Sequence, residues 1–325
     1  MSSSTAFRQG IYQFAWARRV ALWLEAMPYT ALALEFAPDR VAAARWSRTG
    51  ALDGFAVELL PPGALIPSAV EPNIVNSAAV KAAVAAVCER LRSRDEDVAL
   101  ILPDTVIRVF VQHFEEFPRS AAEAEPMLRW KLKKSVPFEV DETLISYMRQ
   151  APRESGIDVV TALARLRIIR EYESLAEGIA LYPGVVMSAS LAALSLLEDE
   201  KPALLARVSG SSLTTAILRR GVLCGYRCTD LPAQGASLTP QMLLEEVFPV
   251  AAYYQDTWQE TVQSVRVAGF GSRLAEFVRA LEDEFRCEVR SLLHAAVSEE
   301  RLKDDALPLA DRELEGLIGW MLQRS

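Results

Sequence analysis

Apolar positions in this chain recur in short alternating runs near residue 30, and the same succession returns about 170 residues later. From Tyr29 to Leu60 the pattern gives three strand-like segments, Ala31–Phe36, Val41–Trp46 and Gly54–Leu60, with turns at Asp39-Arg40 and 48–53. That spacing predicts an antiparallel meander. A Pro- and Asn-rich loop over 61–76 precedes a helix over Ser77–Leu91, where Val80, Val84, Val87 and Leu91 share one face. Asp97–Leu102 is a compact apolar run stopped by Pro103, as a buried strand would be. The second succession reads Leu204–Val208, Leu213–Leu218 and Val222–Cys228, a helix from Thr239 to Trp258, and the strand Ser264–Ala268. The two copies share element order and no close sequence identity.

Between them the pattern changes. Val106, Val109 and Val111 alternate along a strand over Thr105–His113, followed by a helix over Ala121–Lys134. Strands over Leu144–Gln150 and Ile157–Leu166 and a helix over Ile168–Gly178 complete a small α+β insert. Gly178 to Leu197 carries no charge, but Pro183-Gly184 and three serines break it up. It is expected to be strand, turn and buried helix, because a membrane span needs about 20 predominantly apolar residues.

Composition narrows the function classes. Of the 325 residues 51% are hydrophobic, which can fill a sizeable core, and the formal net charge of −8 argues against a nucleic-acid partner. The four cysteines include one close pair, Cys224 and Cys228, at a spacing that suits neither a redox motif nor a zinc knuckle. With two histidines in the chain, neither a metal site nor His-dependent acid/base catalysis is expected. Reduced, buried cysteines and no convincing signal peptide fit a cytoplasmic protein.

A duplicated meander followed by alternating helices and strands is what an actin/RNase H-like fold requires. The expected class is therefore α/β, a duplicated actin-like fold with an insert in its first half. The boundaries are an extension over 1–28, a first half over 29–104, the insert over 105–180, a return over 181–202 and a second half over 203–325. In this fold the first hairpin turn of each half clamps nucleotide phosphates, and a Gly-rich turn of the second half holds the adenosine.

The motifs Ile101-Leu102-Pro103, Phe117-Pro118, Leu128-Arg129-Trp130, Val136-Pro137-Phe138 and Tyr147 resemble the pilus assembly family PilM. Tyr253-Tyr254-Gln255 and Val267-Ala268-Gly269-Phe270-Gly271 extend that resemblance over nearly the whole chain. It implies a cytoplasmic scaffold at the inner membrane, related to FtsA and to the cytoplasmic part of GspL, with an insert of the SHS2 type. It also implies a partner: the short N-terminal tail of a PilN-like inner-membrane protein, docked beside the insert, within a larger pilus or secretion assembly able to oligomerise.

The phosphate loops depart from that family's pattern. Its first loop reads Gly-Ile-Asp-Ile-Gly, whereas here Glu35 replaces the Asp and Ala37 the second Gly, with Pro38 next. A Cβ and a missing N–H both hinder approach to phosphate. At the second loop Arg207-Val208-Ser209 replaces Asp-Ile-Gly, although Gly210 could preserve the turn. Arg207 could instead touch phosphate directly. Gly269 and Gly271 still form a serviceable third turn, so no cofactor is expected beyond weak ATP binding, and no catalysis.

The basic run Arg129 to Lys134 reads as a solvated helix face with Leu128, Leu132 and the Trp130 stem packed inward, or as a surface for acidic lipids or an acidic partner. Trp130, Val136, Pro137 and Phe138 are the candidate docking residues, with core and turn as the alternative for the last three. The competing function is an active ATPase or sugar-kinase-like phosphotransferase on the same fold, for which Glu35 is the loop acid that remains.

Overall fold

The structure, a computed structural model, describes residues 30–47, 51–92, 97–153, 155–197, 200–231, 238–298, 302, 304–310 and 312–323. The extension over 1–28 lies outside them. The first half opens with β1 (Leu32–Ala37), β2 (Arg40–Trp46) and β3 (Leu52–Leu59), then α1 (Ser77–Leu91) and β4 (Asp97–Leu102). Asn76 starts α1 because its side chain accepts from the Ala79 N–H, and the helix ends where Arg92 turns left-handed at φ 45°.

The insert comprises β5 (Arg108–Phe114), α2 (Ala121–Leu132), β6 (Thr143–Arg153) and β7 (Gly156–Arg165). Its strands form an antiparallel sheet in the order β5-β7-β6. The next helix, α3 (Leu166–Glu177), packs against α1, β4 and β8 (Tyr182–Ser188) of the first half. A short helix, α4 (Ala189–Ala193), closes that half.

Pro183 and Gly184 do not separate two elements, contrary to the sequence expectation. Both lie inside β8, which is the edge strand next to β4, and the β4–β8 register slips beside them, with Val98 opposite Pro183 and Ala99 opposite Val185. An edge strand with an irregular register is where a sheet tolerates proline. No described helix is long and apolar enough to cross a membrane.

The second half repeats the plan with β9 (Ala203–Ser209), β10 (Ser212–Arg219), β11 (Val222–Asp230), α5 (Pro240–Trp258), β12 (Ser264–Ala268), α6 (Leu274–Phe285) and β13 (Glu288–Ser291). Thr239 caps α5 by accepting from Met242 N–H, and Pro240 sits where its missing N–H costs nothing. The two large sheets have matching orders, β3-β2-β1-β4-β8 and β11-β10-β9-β12-β13. In each the first strand runs parallel to the fourth, and the fourth parallel to the fifth.

The chain ends with α7 (Leu292–Ser298), α8 (Leu307–Ala310) and α9 (Glu315–Leu322). Helix α9 returns to the first half and buries Leu317, Ile318 and Trp320 against α4 and β1. Its approach is close: a Cβ at Gly319 would lie 2.1 Å from the Ala192 carbonyl oxygen.

The insert also reaches across to the second half. The Gln150 side chain donates to Leu223 O at 2.8 Å and accepts from Leu223 N–H at 2.7 Å. One buried amide thus satisfies both backbone groups of a residue in β11.

Candidate functional site

The parallel strands of both halves end at the cleft, so the turns that follow them face one another. Glu35 is near the end of β1 and Arg207 near the end of β9, and both are buried. Arg207 Nη2 lies 3.8 Å from Glu35 Oε1 and 3.5 Å from Glu315 Oε2, while Nη1 lies 3.2 Å from Asp104 Oδ2. Four donors converge on Asp104: Ser190 N–H at 2.8 Å, Ser190 Oγ at 2.5 Å, Thr214 Oγ1 at 3.1 Å and Arg207. Glu35 Oε2 accepts from Leu317 N–H at 2.9 Å. One guanidinium of the second half therefore serves three buried carboxylates, two from the first half and one from α9.

The charges cannot all be comfortable there. Burial pushes the Glu35 carboxyl up to about 7, with Arg207 opposing the rise and Glu315 adding to it. Burial raises the Glu315 carboxyl as well, again against Arg207. For Arg207 burial acts to release the proton, but Glu315, Asp104 and Glu35 outweigh it and hold the guanidinium charged.

The turns themselves touch. A Cβ at Gly210, where φ is +57°, would meet Pro38 Cγ at 2.9 Å. Arg40 ties the first hairpin to the segment before α9 by donating to Glu313 O at 3.0 Å. Ala37 is buried at the end of β1, and the Ser209 carbonyl accepts from Ser212 Oγ at 2.9 Å.

A magnesium-bound triphosphate is the group this fold implies, and the residues present do not fit it. A fixed guanidinium lies between the carboxylates where a metal cation would need them, and like charges repel in a site of low dielectric. Among the described residues no three Asp, Glu, His or Cys side chains are arranged to hold a metal ion.

The third turn is different. Gly269 has φ +78°, and a Cβ there would sit 1.9 Å from Val208 O, so a glycine is required by packing against β9. Gly271 has φ +51° with nothing within 4 Å of its Cβ position. Beside them lies a cavity of about 380 Å³ lined by Phe270, Leu274, His294, Val297, Ala310 and Glu315 among others. Glu315 thus borders the cavity and also pairs with Arg207.

On the insert the four docking candidates separate. Trp130 is 80% exposed, so its stem does not pack inward as expected. Leu128 and Leu132 do so without it. Val136 and Phe138 pack in part against Leu132, Val140 and Leu163, and Pro137 is exposed. The basic run also divides. Arg129 donates to Val140 O at 2.6 Å and Thr143 O at 3.1 Å, and Lys131 donates to His113 O at 2.9 Å, leaving Lys133 and Lys134 exposed. An open groove of about 970 Å³ runs past Phe114, Phe117, Lys131, Arg149 and Arg153, and none of the four candidates lines it.

Sequence reasoning missed Asp104 and Glu315. Each had a weak signal: an acid directly after an apolar strand and its Pro103, and an acid opening the apolar run Gly316 to Leu322.

Two matching open sheets, a cleft between them and an α+β insert define a duplicated actin-like fold. In fold it is PilM-like: it resembles a chain of the PilM–PilN type IV pilus biogenesis complex, with a TM-score of 0.69 and 19% identity over 91% of this chain and 98% of that one. A Bacteroides thetaiotaomicron protein with an actin-like ATPase fold and unknown function gives 0.47 at 10% identity, over 86% and 95% of the two chains. The cytoplasmic domain of EpsL, an inner-membrane component of the Vibrio cholerae type II secretion system, gives 0.47 at 11%, over 84% and 95%. No family model and no curated protein matches the sequence.

Proposed function

We propose that this chain is a non-catalytic scaffold on the cytoplasmic side of a type IV pilus or related inner-membrane assembly. It docks the short tail of a PilN-like membrane protein on its insert, which is of the SHS2 type, and is held at the membrane through that partner. The observation that carries this reading is the likeness to a chain of the PilM–PilN complex over 98% of that chain's length. The cleft supports the non-catalytic part, because phosphoryl transfer needs carboxylates free to hold metal and orient the nucleophile. Here Glu35, Asp104 and Glu315 are all engaged by Arg207.

The test is capture of a synthetic PilN-type tail by the full chain, paired with a Mg-ATP turnover assay. Tail binding without turnover is the expected pair of results. Micromolar ATP affinity with magnesium-dependent turnover would instead establish the ATPase or kinase reading. Trp130→Ala and Arg149→Glu then locate the tail: the first weakens capture if it lies along α2, the second if it lies in the Phe114–Phe117 groove.

A further inference from the structure

In a two-half fold of this kind a bound metal–nucleotide touches both hairpin turns and so ties the halves together. We propose that here Arg207 does this in its place: the guanidinium and its three carboxylates form a permanent internal clamp that keeps the cleft closed without a ligand. This rests on the reading that the cleft holds no magnesium-bound nucleotide.

The four members of the cluster come from three parts of the chain. Glu35 and Asp104 belong to the first half, Arg207 to the second, and Glu315 to α9, which the chain sends back across the cleft. The bonds cross the cleft in both directions: Arg207 and Thr214 Oγ1 reach Asp104 from the second half, while Glu35 accepts the Leu317 N–H. A guanidinium suits this task better than an ammonium because its planar fork can face several carboxylates at once. The hairpin turns also approach each other at Pro38 and Gly210, closely enough that a Cβ on the glycine would meet Pro38 Cγ at 2.9 Å. The three carboxylates that could hold a metal are already engaged by Arg207.

Hydrogen–deuterium exchange on the full chain tests this, comparing wild type with Arg207→Met and Arg207→Lys, each with and without Mg-ATP. Removing the clamp is expected to speed exchange roughly tenfold or more in the two turns at 37–40 and 209–212, as local opening becomes easier. The lysine variant keeps a cation beside the carboxylates, so it gives a readable intermediate effect even if the methionine variant does not fold. Turns that exchange at the wild-type rate in Arg207→Lys and in any folded Arg207→Met would overturn the clamp. A separate result, protection of wild-type turns by Mg-ATP, would overturn the reading that no nucleotide binds and the replacement role with it, whatever the variants do.

Discussion

The two ends of the cleft start from the same local design, a parallel strand ending in a tight turn, and arrive at opposite states. At the hairpin end the space is filled: Arg207 faces Glu35, Asp104 and Glu315, and Pro38 presses on Gly210. At the Gly269 end a cavity of about 380 Å³ remains. Charge, rather than backbone shape, marks the difference. Gly210 and Gly269 both have positive φ, but it is the hairpin end that holds the buried Arg207 cation. Similar turn backbones can therefore enclose opposite surroundings, a buried charge cluster at one end and an open cavity at the other.

The sharpest way to break this contrast is to remove Asp104, because four donors converge on it. Asp104→Ala takes from the Arg207 guanidinium its shortest carboxylate contact, with only Glu35 and Glu315 left to it, and leaves Ser190 N–H, Ser190 Oγ and Thr214 Oγ1 without their acceptor. Breaking a buried pair by removing one partner costs about 3–5 kcal/mol, and urea denaturation should show a loss in that range. A loss below 1 kcal/mol would mean the cluster is hydrated and the hairpin end is open. Gly269→Ala comes next, at about 3 kcal/mol, since its Cβ would strike Val208 O and its φ of +78° strains any side chain. Thermal denaturation would register this, and an unchanged Tm would show that the third turn does not pack on β9.

Much of the fold was legible because its signals are local. Turn residues and apolar periodicity delimited both meanders, and the long helix over Pro240–Trp258 was readable from its own stretch. The cleft was legible only in pieces. Glu35 and Arg207 stood out as departures from a pattern, but nothing in the sequence says that residues about 170 positions apart neutralise one another. Read separately, an Arg in place of an Asp looks like damage; read together, it is half of an ion pair. Asp104 and Glu315 escaped for the same reason, since Asp104 answers donors on α4 and in the second half, and Glu315 reaches Arg207 only because α9 crosses back to the first half. Trp130 was misplaced because it lies two residues from both Leu128 and Leu132, and residues two apart on a helix do not share a face, so burying those leucines turns it outward.

Protonation sharpens the contrast further. A Glu35 carboxyl with its pKa raised to about 7 keeps its proton in the folded protein over a range where the unfolded chain, near 4.5, has lost it. The folded state then binds more protons, so stability falls as pH rises from about 4.5 to about 7 and levels off above. The size is on the order of 3 kcal/mol. Glu315, raised in the same direction, adds to the fall. Glu35→Gln should remove most of its share, so the variant gains on wild type as pH goes from 5 to 8. Parallel stability–pH curves for the two proteins would show that Glu35 does not titrate in this range.

The smallest effect is expected at Gly271, and it bears on the open end alone. Its φ of +51° is one that an alanine adopts at a cost of about 1 kcal/mol, and no atom lies within 4 Å of the new methyl group. Gly271→Ala should therefore lower stability by about 1 kcal/mol, well short of the effect at Gly269 two residues earlier. The pair separates two origins of a Gly-x-Gly turn, because Gly269 is held by contact with Val208 O while Gly271 is held only by its backbone angle. Equal losses at both positions would mean that other atoms close over Gly271 in solution, and that the cavity beside it is filled as the hairpin end is.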